Sequence, residues 1–96
     1  MTTAPAFPIG RSMMTRAINE AIAEDSVFAR EVARALQRHI NADFGEMSDD
    51  DRAANQRAVD QGGERIFSAY ETSRGRVWII TEADRSATTI LFPSDY

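Results

Sequence analysis

Ile66-Phe67-Ser68-Ala69-Tyr70, Val77-Trp78-Ile79-Ile80-Thr81 and Ala87-Thr88-Thr89-Ile90-Leu91-Phe92 are three short runs rich in β-branched and aromatic residues. Such residues suit a pleated, half-buried backbone, so each run reads as a strand. The polar stretch Glu71-Thr72-Ser73-Arg74-Gly75-Arg76 reads as a hairpin loop between the first two, and Glu82 to Ser86 as the turn before the third, which ends at Pro93. The middle run is apolar at consecutive positions, hence on both faces, which places it at the centre of a sheet. Three strands joined by short turns predict a three-stranded antiparallel β-meander.

Upstream the period changes to about 3.6. Met14, Ala17, Ile18, Ala21 and Ile22 recur at three- and four-residue steps and predict a helix, with Ser12 as its N-cap. A second stripe of Phe28, Val32, Leu36, His39 and Ile40 follows Asp25-Ser26, either of which can cap it. Ser48 opens a third helix, whose first turn holds Asp49, Asp50 and Asp51 and which stops at Gly62-Gly63. The segment before Ser12, with Pro5 and Pro8 and no periodicity, reads as a flexible arm over residues 1–11, anchored through Phe7 or Ile9. The expected fold is α+β: about three N-terminal helices packed on one face of the meander, a single domain over residues 12–96.

Composition narrows the function. The chain has 96 residues, no cysteine and a net charge of -4, with a sequence pI near 4.9. Disulfides, thiolate metal sites and cysteine nucleophiles are thereby excluded. A general nucleic-acid binder needs basic residues to displace counterions from phosphates, so the expected partner is a basic surface and not nucleic acid itself. No apolar run approaches the ~20 residues of a membrane helix. The first residues lack the charged and apolar regions of a secretory signal, and the expectation is a soluble, cytoplasmic protein without cofactor or metal.

The densest charge feature is Asp43, Glu46, Asp49, Asp50 and Asp51, five acids before the compensating Arg52. Negative charge so concentrated can steer association with a basic partner, mimicking a phosphate backbone; the same acids also suit the positive end of a helix. Glu82, Asp84 and Arg85, with Thr88 and Thr89, could form an acid-base or metal-binding group at the sheet end, or could organise a tight turn. Two carboxylates without further ligands are few for a metal. His39, the single histidine, could act as a base with Asp43, or sit at a helix C-terminus where the dipole favours its charge. Asp43-Phe44-Gly45 matches a kinase metal-binding tripeptide, but the lysine, catalytic loop and glycine-rich loop of a kinase are missing. Tyr70 and Trp78 read as core residues of the strand pair.

Two segments carry a family resemblance: Gly62 to Tyr70, and Val77 to Tyr96 with its Thr81-Glu82-Ala83-Asp84-Arg85-Ser86 turn. The Asp43 to Met47 segment, with Asp51 and Asn55, extends it upstream, so that it covers roughly residues 36–96. These segments resemble a family of small bacterial proteins carried on plasmids, integrative elements and phages. Its members are labelled "plasmid-related protein" or "type I restriction endonuclease subunit M". The chain is too short for a methylating subunit and has no cofactor-binding glycine motif, so that activity is not carried over. The resemblance implies a mobile-element setting, and with the acidic cluster it implies an anti-defence inhibitor of the anti-CRISPR or antirestriction type. Such an inhibitor binds a basic host protein or ribonucleoprotein complex and blocks its nucleic-acid site. Other readings are a self-associating accessory protein, dimeric through an unpaired edge strand, and a small hydrolase using His39 with Asp43 or Glu82 with Asp84.

Overall fold

The computed structural model describes residues 4–96. Its elements are β1 (Arg11–Met14), α1 (Arg16–Glu24), α2 (Ser26–Ile40), α3 (Asp49–Gln61), β2 (Ile66–Thr72), β3 (Gly75–Thr81) and β4 (Ala87–Leu91), followed by a 3-10 turn over Pro93–Asp95. The sheet order is β1-β4-β3-β2. β3 pairs antiparallel with β2 and β4, while β1 lies parallel to β4, Arg11 opposite Ala87 and Met14 opposite Ile90.

The expected architecture is therefore corrected. The sheet is four-stranded and mixed rather than a three-stranded antiparallel meander, and a strand precedes the helices. Gly10 is the physical reason. It holds φ at +61°, and a Cβ there would lie 2.3 Å from the Arg85 carbonyl oxygen, so a bare backbone makes the close approach that lays the chain onto β4. Arg11 N–H then donates to Ser86 O (3.0 Å) and Thr15 N–H to Ile90 O (3.1 Å). Ser12 lies inside the strand and caps nothing. Thr15 caps α1 instead, its Oγ1 accepting from Ile18 N–H at 3.4 Å.

The other helix starts follow local chemistry. Asp25 caps α2, with Oδ1 accepting from Val27 N–H (3.0 Å) and Phe28 N–H (3.1 Å); Arg74 from the β2–β3 turn adds a bond to Oδ2 at 3.1 Å. The Phe28 amide bond, then Arg74, hold the Asp25 carboxyl below its ordinary range. Ser48 Oγ accepts from Asp51 N–H at 3.1 Å, and α3 ends at Gly62.

Strand register sorts the side chains into two faces. Ile66, Ser68 and Tyr70, Val77, Ile79 and Thr81, and Thr88 and Ile90 share the face covered by helices. There Ile18 and Ala21 of α1 and Phe28, Val32 and Ala35 of α2 pack with Tyr70, Val77, Ile79 and Ile90. Burying each large apolar side chain contributes about 1.5–3 kcal/mol. A second cluster joins Phe7, Phe44, Ala58 and Ile66, which anchors the chain around residue 7 to α3 and β2. Residues 1–3 of the expected arm lie outside the described residues.

On the opposite face Ala69, Ile80 and Leu91 are buried beside an aromatic group: Phe67 and Trp78 (4.9 Å between ring centroids), then Trp78 and Tyr96 (5.7 Å). Tyr70 and Trp78 thus serve different faces. The outer edge of β2 is closed, since Ala69 N–H donates to Phe44 O (3.2 Å) and its carbonyl accepts from Glu46 N–H (2.7 Å). One residue pair along, the Asn55 amide takes both backbone groups of Phe67, at 2.8 and 3.0 Å. Among the described residues no helix is long and apolar enough to cross a membrane.

Candidate functional site

The acidic cluster sits where the loop after α2 crosses the β2 edge and turns into α3. Gly45 makes this crossing possible: φ is +72°, and a Cβ would stand 2.1 Å from Ala69 O and 2.7 Å from the Tyr70 ring. A Gly45→Ala variant is expected to lose about 3 kcal/mol or more, because strain and backbone overlap add; a urea unfolding curve reads this directly. Arg52 fixes the loop from the other side, donating to Met47 O (3.1 Å) and Gly45 O (2.8 Å).

This scaffold divides the five acids. Asp43 is tied into the fold: Arg38 Nε donates to Oδ2 (2.7 Å) and Nη2 to Oδ1 (3.2 Å), with Gly45 N–H at 3.3 Å. The Arg38 bond is the main cause holding its carboxyl below the ordinary range. Glu46, Asp49, Asp50 and Asp51 are exposed and, among the described residues, paired with no cation. Successive helical residues diverge by about 100°, so Asp49, Asp50 and Asp51 fan around the helix end and do not form a phosphate-like row. Their side chains complement the partial positive charge of the helix start, which leaves that end strongly negative.

A cleft of about 340 Å³ lies beside this end, lined by Met47, Asp51, Ala54, Asn55 and Phe67. Met47 and Phe67 supply apolar walls and Asp51 an acidic rim. An arginine or lysine side chain has the same division, an apolar stem and a charged head.

The polar interior is organised around His39, which is 0% exposed. Ser68 Oγ lies 2.6 Å from His39 Nδ1 and Thr81 Oγ1 2.9 Å from Nε2; Thr81 Oγ1 lies 2.7 Å from Thr88 Oγ1, which donates to Ile9 O at 2.8 Å. Counting protons sets every direction. Thr88 spends its hydrogen on a carbonyl, so Thr81 donates to Thr88 and accepts from His39 Nε2–H. That leaves Nδ1 as the acceptor from the Ser68 hydroxyl in the neutral ring. Burial pushes the His39 pKa down to about 4. Phe7 closes the ring from the side, at 5.3 Å and nearly perpendicular.

His39 does sit in the last turn of α2, as the sequence suggests, but it is neither a base paired with Asp43 nor a ring whose charge the helix end favours. Its ring bonds Ser68 and Thr81 while Asp43 binds Arg38, and desolvation outweighs the helix-end charge effect. Although Ser68 and His39 have the contact of a nucleophile and its base, both are sealed in the core, so the pair cannot reach a substrate in this conformation. The neighbouring Tyr70 donates to Asp43 O (2.6 Å), and burial raises its pKa to about 12. Asn55, Ser68 and Thr81 escaped the sequence reading of the site. For Ser68 and Thr81 the available signal was a polar side chain at a strand position whose alternate neighbours, Ile66, Tyr70 and Ile79, are core residues; Asn55, inside α3, offered no such alternation.

Glu82, Asp84 and Arg85 do not converge. Asp84 accepts from Ser86 N–H at 2.9 Å, and its bonds to Ser86 hold its carboxyl below the ordinary range; Glu82 faces Arg65 at 3.6 Å. Arg85, with φ at +61°, gathers four carbonyls: Glu64 (2.7 Å), Glu82 (3.0 Å), Ala83 (3.1 Å) and Ala58 at the end of α3 (2.7 Å). It joins α3 to the turn before β4. Arg85→Ala is expected to cost about 2 kcal/mol in urea unfolding, with Arg85→Lys recovering less than half because an ammonium lacks the planar fork. Among the described residues no group of three or more His, Asp or Glu side chains could hold a metal ion. No protein-family model, curated protein or solved structure is significantly similar to the chain.

Proposed function

We propose that this chain is a non-enzymatic binding protein that presents Glu46, Asp49, Asp50 and Asp51 to the basic surface of a host defence complex and blocks its nucleic-acid site. The observation that carries this reading is a set of four exposed carboxylates, in no salt bridge among the described residues, on a scaffold clamped by Gly45, Arg52 and Asn55. Preorganised charge of this kind increases association rate and selects basic partners. The adjoining cleft gives a partner's arginine or lysine an apolar contact as well as an ionic one. The mobile-element and anti-defence parts of the proposal rest on the sequence resemblance. The fan of acids favours docking as a compact charged knob over imitation of a nucleic-acid strand.

Affinity capture from a bacterial lysate, repeated with excess duplex DNA or structured RNA as competitor, tests the proposal. A captured complex that nucleic acid displaces, and whose nucleic-acid binding the chain blocks, is the expected result. Capture unaffected by nucleic acid would separate the chain from that site.

A further inference from the structure

The two edges of the sheet are treated differently. The β2 edge is closed by the Phe44 to Glu46 segment and by the Asn55 amide, whereas nothing among the described residues covers β1. In a parallel ladder both backbone groups of a residue point to the same side. Arg11 and Thr15 point to β4, so alternation turns the N–H and C=O of Ser12 and Met14 outward. The side chains of Met13 (47% exposed) and Met14 (43% exposed) stand on this open edge, two of the four large hydrophobic residues exposed in the described chain.

We propose that β1 pairs with β1 of a second copy of this chain, antiparallel and about a two-fold axis at Met13. This register is self-complementary. Ser12 of each copy exchanges both backbone bonds with Met14 of the other, and the two Met13 side chains meet as a non-hydrogen-bonded pair, the closer kind. Arg11 then lies opposite Thr15 of the second copy. Thr15 Oγ1 donates to Asp95 Oδ2 at 2.8 Å, which fixes that carboxylate beside the strand end. Among the described residues neither Arg11 nor Asp95 has an oppositely charged partner, and the register brings them together twice across the axis. This charge match favours a second copy over an unrelated strand.

The dimer would be one eight-stranded sheet with α3 and its acids at both far ends, because β2 is the strand most distant from β1. Two acidic ends on one particle allow bivalent attachment to a host assembly. The dimer does not depend on the proposed inhibitor role, and its test does not use the acidic end.

Because the chain has no cysteine, single-cysteine variants report the register without background. Across a non-hydrogen-bonded pair the Cα separation of about 4.5 Å falls within disulfide range. Diagonal neighbours at about 7–8 Å fall outside it. Met13→Cys is therefore expected to oxidise to a covalent dimer, while Met14→Cys remains mostly uncrosslinked. Light scattering on the unmodified protein at about 100 µM should give a mass above the 10.7 kDa monomer, and Met13→Lys should return it to monomer by placing like charges on the axis. Both methionines are exposed, so these variants should fold, and circular dichroism checks this. A strictly monomeric unmodified protein, or cross-linking at Met14 equal to or greater than that at Met13, would overturn the proposal.

Discussion

Replacing His39 with alanine is expected to reduce the free energy of unfolding by about 3–5 kcal/mol, which combines a large-to-small core deletion with stranded polar partners. The Ser68 hydroxyl loses its acceptor, Thr81 Oγ1 loses its donor, and Phe7 loses the ring it packs against. For a small domain that is a large share of the total stability. The comparison variant is His39→Leu with Ser68→Ala and Thr81→Val. Removing the partners together avoids unsatisfied buried groups, so this variant should recover most of the loss. Recovery would show that the network is structural; continued severe destabilisation would point to a geometric requirement for the imidazole.

The same residue imposes a pH dependence. His39 titrates near 6.5 when unfolded and at about 4 when folded, so between those values the unfolded chain binds a proton that the folded chain refuses. Its contribution is present above pH 6.5 and is lost as pH falls toward about 4. Over the full window the loss approaches roughly 3 kcal/mol, from about 1.4 kcal/mol per pKa unit. Asp25, Asp43 and Asp84, whose pKa values are lowered from 3.8, add losses of the same sign at more acidic pH. Urea midpoints measured between about pH 4 and pH 7 should therefore slope for the native chain and flatten in the triple variant.

The second large effect concerns binding. In the proposed complex, changing Asp49, Asp50 and Asp51 together to lysine is expected to weaken binding by at least about 100-fold, since the three acids proposed to face a basic surface become repulsive. Folding changes far less. Positive charge at a helix start costs about 0.3–1 kcal/mol per residue, and none of the three side chains supports the core. Reversing Glu20 and Glu24 on α1 provides the control, altering net charge as a non-specific effect would require while leaving the α3 end intact. Binding by that control should remain within about threefold of the native chain.

α2 was legible because cap and period agreed, and α3 from its ends alone: Asp25 and Ser48 sit immediately before their helices, and α3 ends at Gly62. β2, β3 and β4 announced themselves by β-branched and aromatic content. β1 did not, for two physical reasons. Its four residues are exposed on both faces, so they carry no alternation, and Met14 stands four positions before Ile18, which extends the apparent helical stripe upstream. At the site, the exposed acids were readable from charge density alone. The fate of Asp43 was not, because its pairing with Arg38 depends on how the chain turns after α2. The place of His39 on the apolar stripe at the end of α2 is visible in sequence, whereas its enclosure between Ser68 and Thr81, which disfavours its charge, is a product of tertiary packing.

The exposed acids at the start of α3 are the proposed binding surface, on a fold held by a sealed polar core. The deciding measurement is a titration of the captured partner with the native chain and with the Asp49, Asp50 and Asp51 lysine variant, from about 0.05 M to about 0.3 M salt. Native affinity should fall steeply with salt, and the variant should bind weakly and almost independently of salt. Equal affinities and equal salt slopes for the two proteins would contradict the proposed surface.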